Sequence, residues 1–207
     1  MTAFADILRA HHRPQLDAFV HHPFFRAVED GKLIATARDA YFINEGSFVG
    51  AAVGIFAHIL TKAPSGAQPH LVAILNGLVH TQLPFFAKLY GDLNITVPPE
   101  PPAAARALSD GMTEIAREGS YGAGVAAMLA AEWSYATVAR RGGWRAADDE
   151  TIRHWFALHA EDAFLDGVAW LEAEVNAAGE AGGRQEMDNA FGEAIALEIE
   201  FHDAPLH

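Results

Sequence analysis

The segment MLAAEWSYATVA, residues 128–139, decides the fold, because it is apolar on almost every side of a helix yet carries a carboxylate, Glu132, in its middle. Apolar residues recur at steps of three and four from Val125 through Leu129 to Ala136, which is the spacing of an α-helical face. Such a helix is expected at the centre of a bundle. A buried charge costs several kcal/mol unless it is paired. Glu132 therefore indicates a polar site inside that bundle.

The remaining sequence is also organised as helices. No segment alternates between apolar and polar residues as a strand would, and β-branched residues are sparse. We predict an all-α single domain, 1–207, with seven or eight helices whose short connections make neighbours antiparallel. The sequence TARD at 36–39 predicts a capping box at the start of the second helix. The predicted helices are a short one between Pro23 and Gly31, then 37–61, a long helix ending near 90–94, 103–117, 121–141, 148–176 and 184–202.

The composition excludes several classes of protein. A net charge of −13 without a cluster of Lys and Arg argues against a nucleic-acid binder. No run reaches the roughly 18 uncharged apolar residues that span a bilayer, so no membrane partner is expected. The amino terminus lacks the pattern of a signal peptide, and we expect a cytoplasmic location. With no cysteine in the chain, thiol catalysis, disulfides and thiolate metal sites are excluded.

Two further carboxylates interrupt apolar helical faces. In the helix 37–61, Glu45 lies on the same face as Tyr41, in a position where a hydrophobic residue is expected. In the last helix, Glu198 interrupts an apolar face that ends at His202. A single buried carboxylate is usually explained by a structural hydrogen bond. Three of them on three helices favour one shared pocket inside the bundle.

Five segments, in the same order, resemble the motifs of the TenA (thiaminase II) family, whose fold is the helical bundle of heme oxygenase. They are HPFFRAVEDGKL at 22–33, YFINEGSF at 41–48, LAAEWSY at 129–135, WFALHAEDAF at 155–164 and LEIEFHDA at 197–204. Members of that family salvage the pyrimidine half of thiamin. They hydrolyse an aminomethyl-pyrimidine, its formyl derivative or thiamin itself to the hydroxymethyl-pyrimidine. The resemblance implies a small pyrimidine ligand, no cofactor, no metal and a homo-oligomer, either a tetramer or a dimer.

The resemblance also implies roles for individual residues. Glu45 replaces the family's Asp that holds the aminopyrimidine ring, and a carboxylate suits an amino group beside a ring nitrogen. Glu198 would be the catalytic acid–base, and Tyr135 the pocket tyrosine of the central helix. The predicted substrate-binding residues are Glu45, Tyr135, His159, Phe48, Asn44 and Trp133.

This chain departs from the family where the chemistry is concentrated. The family's catalytic Cys aligns with Ala131, and pocket tyrosines are replaced by Gly46, Phe48 and His159. Part of the family lacks the Cys and relies on glutamates, and this chain resembles that subset. We therefore predict Glu132 as a second catalytic residue, since a carboxylate can attack carbon or activate water.

Two other functions remain open from the sequence. The chain could be a non-catalytic small-molecule binder of the same fold. It could also be an oxidase with a di-metal site, although the Glu-x-x-His pairs of di-iron bundles are absent. The roles of His80 and His202 are not assigned. The ligands of such a metal site would be Glu45, Glu132, His159, Asp162, Glu198 and His202.

Overall fold

The computed structural model describes residues 2–207 and contains eleven α-helices in that range. No strand occurs among these residues, so the prediction of an all-α fold is confirmed, although helices are more numerous than predicted. The helices are α1 Phe4–His11, α2 Arg13–Val20, α3 Pro23–Glu29, α4 Ala35–Lys62, α5 Gln68–Gly77, α6 Leu83–Leu93, α7 Ala103–Glu118, α8 Tyr121–Arg141, α9 Glu150–Leu158, α10 Asp162–Ala181 and α11 Arg184–Asp203.

The helix that contains the opening segment, α8, is the centre of the bundle, as predicted. Every residue from Gly122 to Ala131 is buried, and the helix packs mainly against α11 and α10. The hydroxyl of Ser120 accepts the N–H of Ala123 at 3.2 Å and caps its first turn. Gly142 ends it with a left-handed φ of 73°. These signals explain why the predicted bounds 121–141 agree with the structure.

The predicted helix 148–176 is wrong in one respect, because the structure divides it into α9 and α10. The N–H groups of Ala160 and Glu161 bond to carbonyls three residues earlier, which tightens the chain into a turn and ends α9. Nδ1 of His159 donates to the carbonyl of Trp155 at 2.8 Å. A side chain thereby satisfies a carbonyl left free at the helix end. Neither Gly nor Pro marks this break in the sequence.

The helix predicted to end near 90–94 is interrupted as well. A π-helical turn, Leu78–Gln82, joins α5 to α6 without a loop. Pro84, which has no N–H for the helical ladder, follows directly in the first turn of α6. The longer i→i+5 spacing of a π turn is a known way to accommodate such a residue.

The capping box predicted at 36–39 is not formed. The helix α4 begins at Ala35, and Ile34 precedes it without any side-chain cap. Thr36 therefore lies inside the first turn. Arg38 is instead held by two carboxylates, donating to Asp39 and, at 2.6 Å, to Asp149 at the start of α9. This ion pair joins α4 to α9.

Among residues 2–207, α4 is the one helix long and apolar enough to cross a membrane by length and composition, with a mean hydropathy of 1.4. Core helices of soluble bundles have the same properties. In this fold α4 packs along α7, and its buried face carries Glu45.

Candidate active site

The hydroxyl of Tyr135 is the centre of a buried polar group formed by three helices. It donates to the carboxylate of Glu45 on α4. It lies 2.8 Å from Nε2 of His202 on α11 and 3.0 Å from the hydroxyl of Tyr41 on α4. All four side chains are buried. We call Tyr135, Glu45, His202 and Tyr41 the Tyr135 cluster.

Further contacts fix the orientation of the cluster. The indole N–H of Trp155 on α9 donates to the Tyr41 hydroxyl at 2.8 Å. Nδ1 of His202 donates to the carbonyl of Glu198, one turn earlier in α11, at 2.7 Å. The rings of Phe19, Phe24 and Phe25 surround the imidazole with centroids 5.0, 5.6 and 4.9 Å away. These contacts hold the rings of Tyr41 and His202 in place around the Tyr135 hydroxyl.

Glu198 lies beside the cluster with one oxygen unused. Its side chain is buried, and among residues 2–207 its Oε2 has no hydrogen-bond partner. That oxygen is 3.7 Å from Nδ1 of His202, whose hydrogen is already taken by the backbone. Burial raises the pKa of Glu198 well above its ordinary value, and the charges of Glu45 and Glu132 raise it further.

Burial also raises the pKa values of Glu45 and Glu132. Burial raises the pKa of Glu45 to about 7, against hydrogen bonds from Tyr135 and Tyr41 that lower it. Burial, and then the charge of Glu45, raises the pKa of Glu132 to about 7. Glu132 keeps some accessible surface, yet the protein around its carboxyl excludes most of the bulk solvent. Three carboxyls within each other's field can thus hold protons near neutral pH.

One predicted binding residue, His159, packs against this group, and a second, Asn44, is buried one position before Glu45 on α4. The ring of His159 packs against that of Tyr135 with centroids 5.1 Å apart, and burial lowers its pKa to about 4. Its Nδ1 bonds to the backbone of Trp155, so the imidazole has one nitrogen left for a ligand. Asn44 is buried beside Glu45 in the chain, and its Oδ1 has no partner among the described residues.

Two other predicted residues are not brought to the cluster by any described hydrogen bond or ring contact. Phe48 is half-buried against the hydrophobic core. The ring of Trp133 lies beneath the guanidinium of Arg9, 5.5 Å from its centroid, and Arg9 also bonds to Glu172. Trp133 thus belongs to the contact of α8 with α1 and α10. Adjacent residues of a helix point about 100° apart, which separates it from Glu132.

The cluster itself is tightly joined, and two clefts open elsewhere on the surface. One of about 380 Å³ lies beside Arg38 and Asp149. The other, of about 440 Å³, lies between the start of α8 and the end of α10, beside Tyr121 and Glu174. Neither is lined by a predicted site residue. The shared location of the carboxylates therefore rests on their contacts and mutual charges.

Some residues of the cluster were not assigned a role from the sequence. His202 lies one turn after Glu198 on the same face, and this spacing could have indicated it. Tyr41 lies one turn before Glu45, where an aromatic residue is most simply explained as packing. His80, the other unassigned histidine, is exposed in the π turn between α5 and α6.

Tyr90 of α6 is a further polar residue near Glu45. Its hydroxyl donates to the carbonyl of Phe42 at 2.9 Å. Burial, and then the charge of Glu45, raises its pKa to about 12. It occupies the space that any side chain on Gly46 would need, since a Cβ there would lie 1.8 Å from the Tyr90 oxygen. Gly46 stands where the resemblance implies a tyrosine on α4, and the hydroxyl of Tyr90 on α6 fills the space beside it.

This arrangement makes Gly46 sensitive to substitution. Gly46→Ala should destabilise the fold by about 1–2 kcal/mol, because the methyl group must displace the Tyr90 hydroxyl and press on the Phe86 ring 2.9 Å away. Gly50→Ala on the same helix is the matched control. It has no atom within 4 Å of the new methyl and should stabilise by about 0.5–1 kcal/mol through helix propensity. Urea unfolding measures both changes, and equal stabilisation by both would contradict the close contact.

The described residues contain one group of three side chains whose donor atoms converge as metal ligands would. His11, His12 and Asp188 have such atoms within 4.8 Å of one another. They lie at the junction of α1 and α2 and on α11, and Asp188 already accepts from both histidines at 2.8 and 3.2 Å. The six ligands considered for a di-metal oxidase do not converge in this way.

Comparison with known proteins agrees with this architecture. A model of the TENA/THI-4/PQQC family matches residues 9–206. A TenA homologue from P. horikoshii OT3 has a TM-score of 0.91 at 21% identity, covering 99% of this chain and 98% of its own. A TenA family transcription regulator from Silicibacter has a TM-score of 0.88 at 18% identity, covering 97% of this chain and 95% of its own. A protein from Sulfolobus solfataricus P2 described as a TenA-like thiaminase has a TM-score of 0.83 at 19% identity, covering 100% of this chain and 97% of its own. At these identities the likeness shows the fold. No curated protein matches the chain.

Proposed function

The chain belongs to the TENA/THI-4/PQQC family, and we propose that it hydrolyses aminopyrimidine compounds in thiamin salvage, converting the aminomethyl- or formylaminomethyl-pyrimidine to the hydroxymethyl-pyrimidine. The observation that carries the proposal is that Glu45, Glu132 and Glu198 lie within reach of one another's charges, and that Glu198 keeps a buried oxygen without a partner. A structural relative described as a TenA-like thiaminase supports the same reaction class.

In this proposal Glu45 binds the aminopyrimidine ring. The amino group of the ring donates a hydrogen bond and the adjacent ring nitrogen accepts one. A carboxyl that pairs with both must therefore be protonated, so that one oxygen accepts from the amino group and the O–H donates to the ring nitrogen. The pKa of Glu45, raised by burial to about 7, makes that proton available at neutral pH. A carboxyl with an ordinary pKa would have lost it.

Glu198 and Glu132 divide the chemistry. Protonated Glu198 gives its proton to the leaving amine as the bond from the methylene carbon to nitrogen breaks. Ionised Glu132 takes a proton from the water whose oxygen bonds to that carbon. Ammonia, or formamide from the formyl derivative, leaves with the hydroxymethyl product, and the proton on Glu132 returns to Glu198 through water. The order of the two roles follows from burial, which raises the pKa of Glu198 well above the ordinary range and that of Glu132 to about 7.

The first test is an assay of the full chain on the aminomethyl-pyrimidine, its formyl derivative and thiamin. We expect hydroxymethyl-pyrimidine from one or both of the first two and little cleavage of thiamin, because no thiol is present. Ala131→Cys restores a thiol at the position where the family has its Cys. This variant should increase thiamin cleavage, while Ala130→Cys on the same helix should not.

A non-catalytic binder is the second candidate, favoured by one observation. The position of the family's thiol is a buried Ala131, and nothing in a methyl group can react. Calorimetric titration with the aminomethyl-pyrimidine distinguishes the two functions. Binding of that compound without turnover of any of the three compounds would contradict the hydrolase and support the binder.

A further inference from the structure

The hydrogens of the Tyr135 cluster can be counted from its contacts. A backbone carbonyl only accepts, so Nδ1 of His202 carries a hydrogen toward Glu198. The N–H of Trp155 occupies one lone pair of the Tyr41 hydroxyl, which leaves the Tyr41 hydrogen free to bond to the Tyr135 oxygen. The Nδ1 hydrogen of His202 is thereby fixed, and the Tyr41 hydroxyl can give its hydrogen to the Tyr135 oxygen.

The single hydrogen of Tyr135 faces two acceptors. One is the Glu45 carboxylate and the other is Nε2 of His202. With the Tyr41 hydrogen directed at the Tyr135 oxygen, an ionised Glu45 and a neutral His202 cannot both receive the Tyr135 hydrogen, and leaving one of these buried acceptors without it is unfavourable. One added proton removes the conflict in either of two places. A proton on the Glu45 carboxyl lets Glu45 donate to the Tyr135 oxygen and Tyr135 donate to Nε2 of His202. A proton on Nε2 lets His202 donate to the Tyr135 oxygen and Tyr135 donate to Glu45.

We propose that Glu45, Tyr135 and His202 form a proton relay that holds one shared proton and passes it between Glu45 and His202 through the Tyr135 hydroxyl. In the transfer, the O–H bond of Glu45 breaks as its proton bonds to the Tyr135 oxygen. The original Tyr135 O–H bond breaks as its proton bonds to Nε2. A neutral pair becomes an ion pair, and no other group changes.

The surroundings of His202 determine where the proton rests. Burial raises the pKa of Glu45 to about 7 and lowers that of His202 to about 3, so His202 is neutral near neutral pH, and the shared proton rests on Glu45 as the pH falls below about 7. The ring of His22 lies 6.0 Å from that of His202, and Nε2 of His22 bonds to the carboxylate of Asp203 at 3.0 Å. The titratable groups facing His202 are Tyr41 and Glu45 on α4, Tyr135 on α8, Glu198 on α11 and His22 before α3.

The relay gives His202 a positioning role that the proposed function did not include. The use of the relay in catalysis rests on the proposed function, because the shared proton would then protonate the ring nitrogen of a bound aminopyrimidine and be restored between turnovers. The existence of the relay does not rest on that function, because the shared proton is a property of the free protein. The relay and the proposed function can therefore fail separately.

The test is the titration of Glu45 in the unliganded chain, followed by carbon-13 NMR of its carboxyl and assigned with Glu45→Gln. His202→Phe keeps an aromatic ring and removes the second acceptor. It should lower the pKa of Glu45 by about one unit, because ionised Glu45 no longer competes for the Tyr135 hydrogen. Tyr135→Phe removes the donor and should raise that pKa by about one unit.

The opposite directions identify the relay. His159→Phe is the control, since its ring also packs on Tyr135 but bonds to the Trp155 carbonyl, and the pKa of Glu45 should stay within a few tenths of a unit. Shifts in the same direction for His202→Phe and Tyr135→Phe, or no shift, would overturn the proposal. If a variant fails to fold, nitrogen-15 NMR of wild-type His202 replaces it. Hydrogen on Nδ1 supports the relay, and hydrogen on Nε2 alone overturns it.

Discussion

Glu198→Gln should lower kcat for hydrolysis of the aminomethyl-pyrimidine by roughly 10²–10⁴, the usual contribution of a general acid or base. Gln keeps the size and the hydrogen-bonding plane of the side chain but cannot deliver a proton to the leaving amine. The buried, unpartnered Oε2 of Glu198 is the atom that loses this capacity. Since the step occurs only in the transition state, kcat and kcat/KM should fall together.

The other two carboxylates provide internal comparisons. Glu132→Gln should reduce kcat by a similar factor, because water then has no base. Glu45→Gln should act mostly on KM, because its bonds to the ring exist before the transition state. Glu114→Gln, on the exposed face of α7, controls for the loss of one carboxyl. Normal kcat in Glu132→Gln, with activity lost in Glu198→Gln, would show that Glu132 is only a buried acid.

Sequence periodicity was sufficient to find the long helices α4, α7, α8 and α11 and the three carboxylates, because both depend on local spacing, but it did not find α1 and α2. A helix that is apolar on nearly all sides must be surrounded, and the structure places α8 at the centre. A carboxylate on an apolar face must point into protein, and Glu45 and Glu198 are buried. The break between α9 and α10 was missed because a His side chain, and no Gly or Pro, satisfies the helix end.

The cluster itself could not be predicted from spacing. Its bonds join residues 67 and 90 positions apart, so they depend on how α4, α8 and α11 are rotated and inclined against one another. A difference of two positions decides whether a side chain on α8 faces the cluster, as for Tyr135, or α1, as for Trp133. The direct bond from Tyr135 to His202 required coordinates, although the apolar face had already placed His202 beside Glu198.

The buried carboxyl of Glu45 should also make the stability of the fold depend on pH in an unusual direction. Folding raises its pKa from an ordinary 4.5 to about 7, so the folded state binds the proton more tightly than the unfolded state. This contribution to stability is fully present below about pH 4.5 and is lost as pH rises toward 7. A salt-bridged carboxylate, with a lowered pKa, has the opposite dependence.

The comparison of Glu45→Gln with wild type isolates this effect. Because Gln does not titrate, the free energy of unfolding of the variant relative to wild type should increase by about 3 kcal/mol between roughly pH 4.5 and pH 8, at about 1.4 kcal/mol per pKa unit. Urea unfolding at several pH values measures it, with Glu114→Gln as the control for one lost carboxyl. The wild-type curve alone is not diagnostic, because neutral burial of His159 and His202 lowers their pKa values to about 4 and about 3 and destabilises the fold as pH falls. A difference that stays constant across this range would mean that Glu45 is ionised in the folded protein, and the proton proposed for the ring nitrogen would have to come from another group.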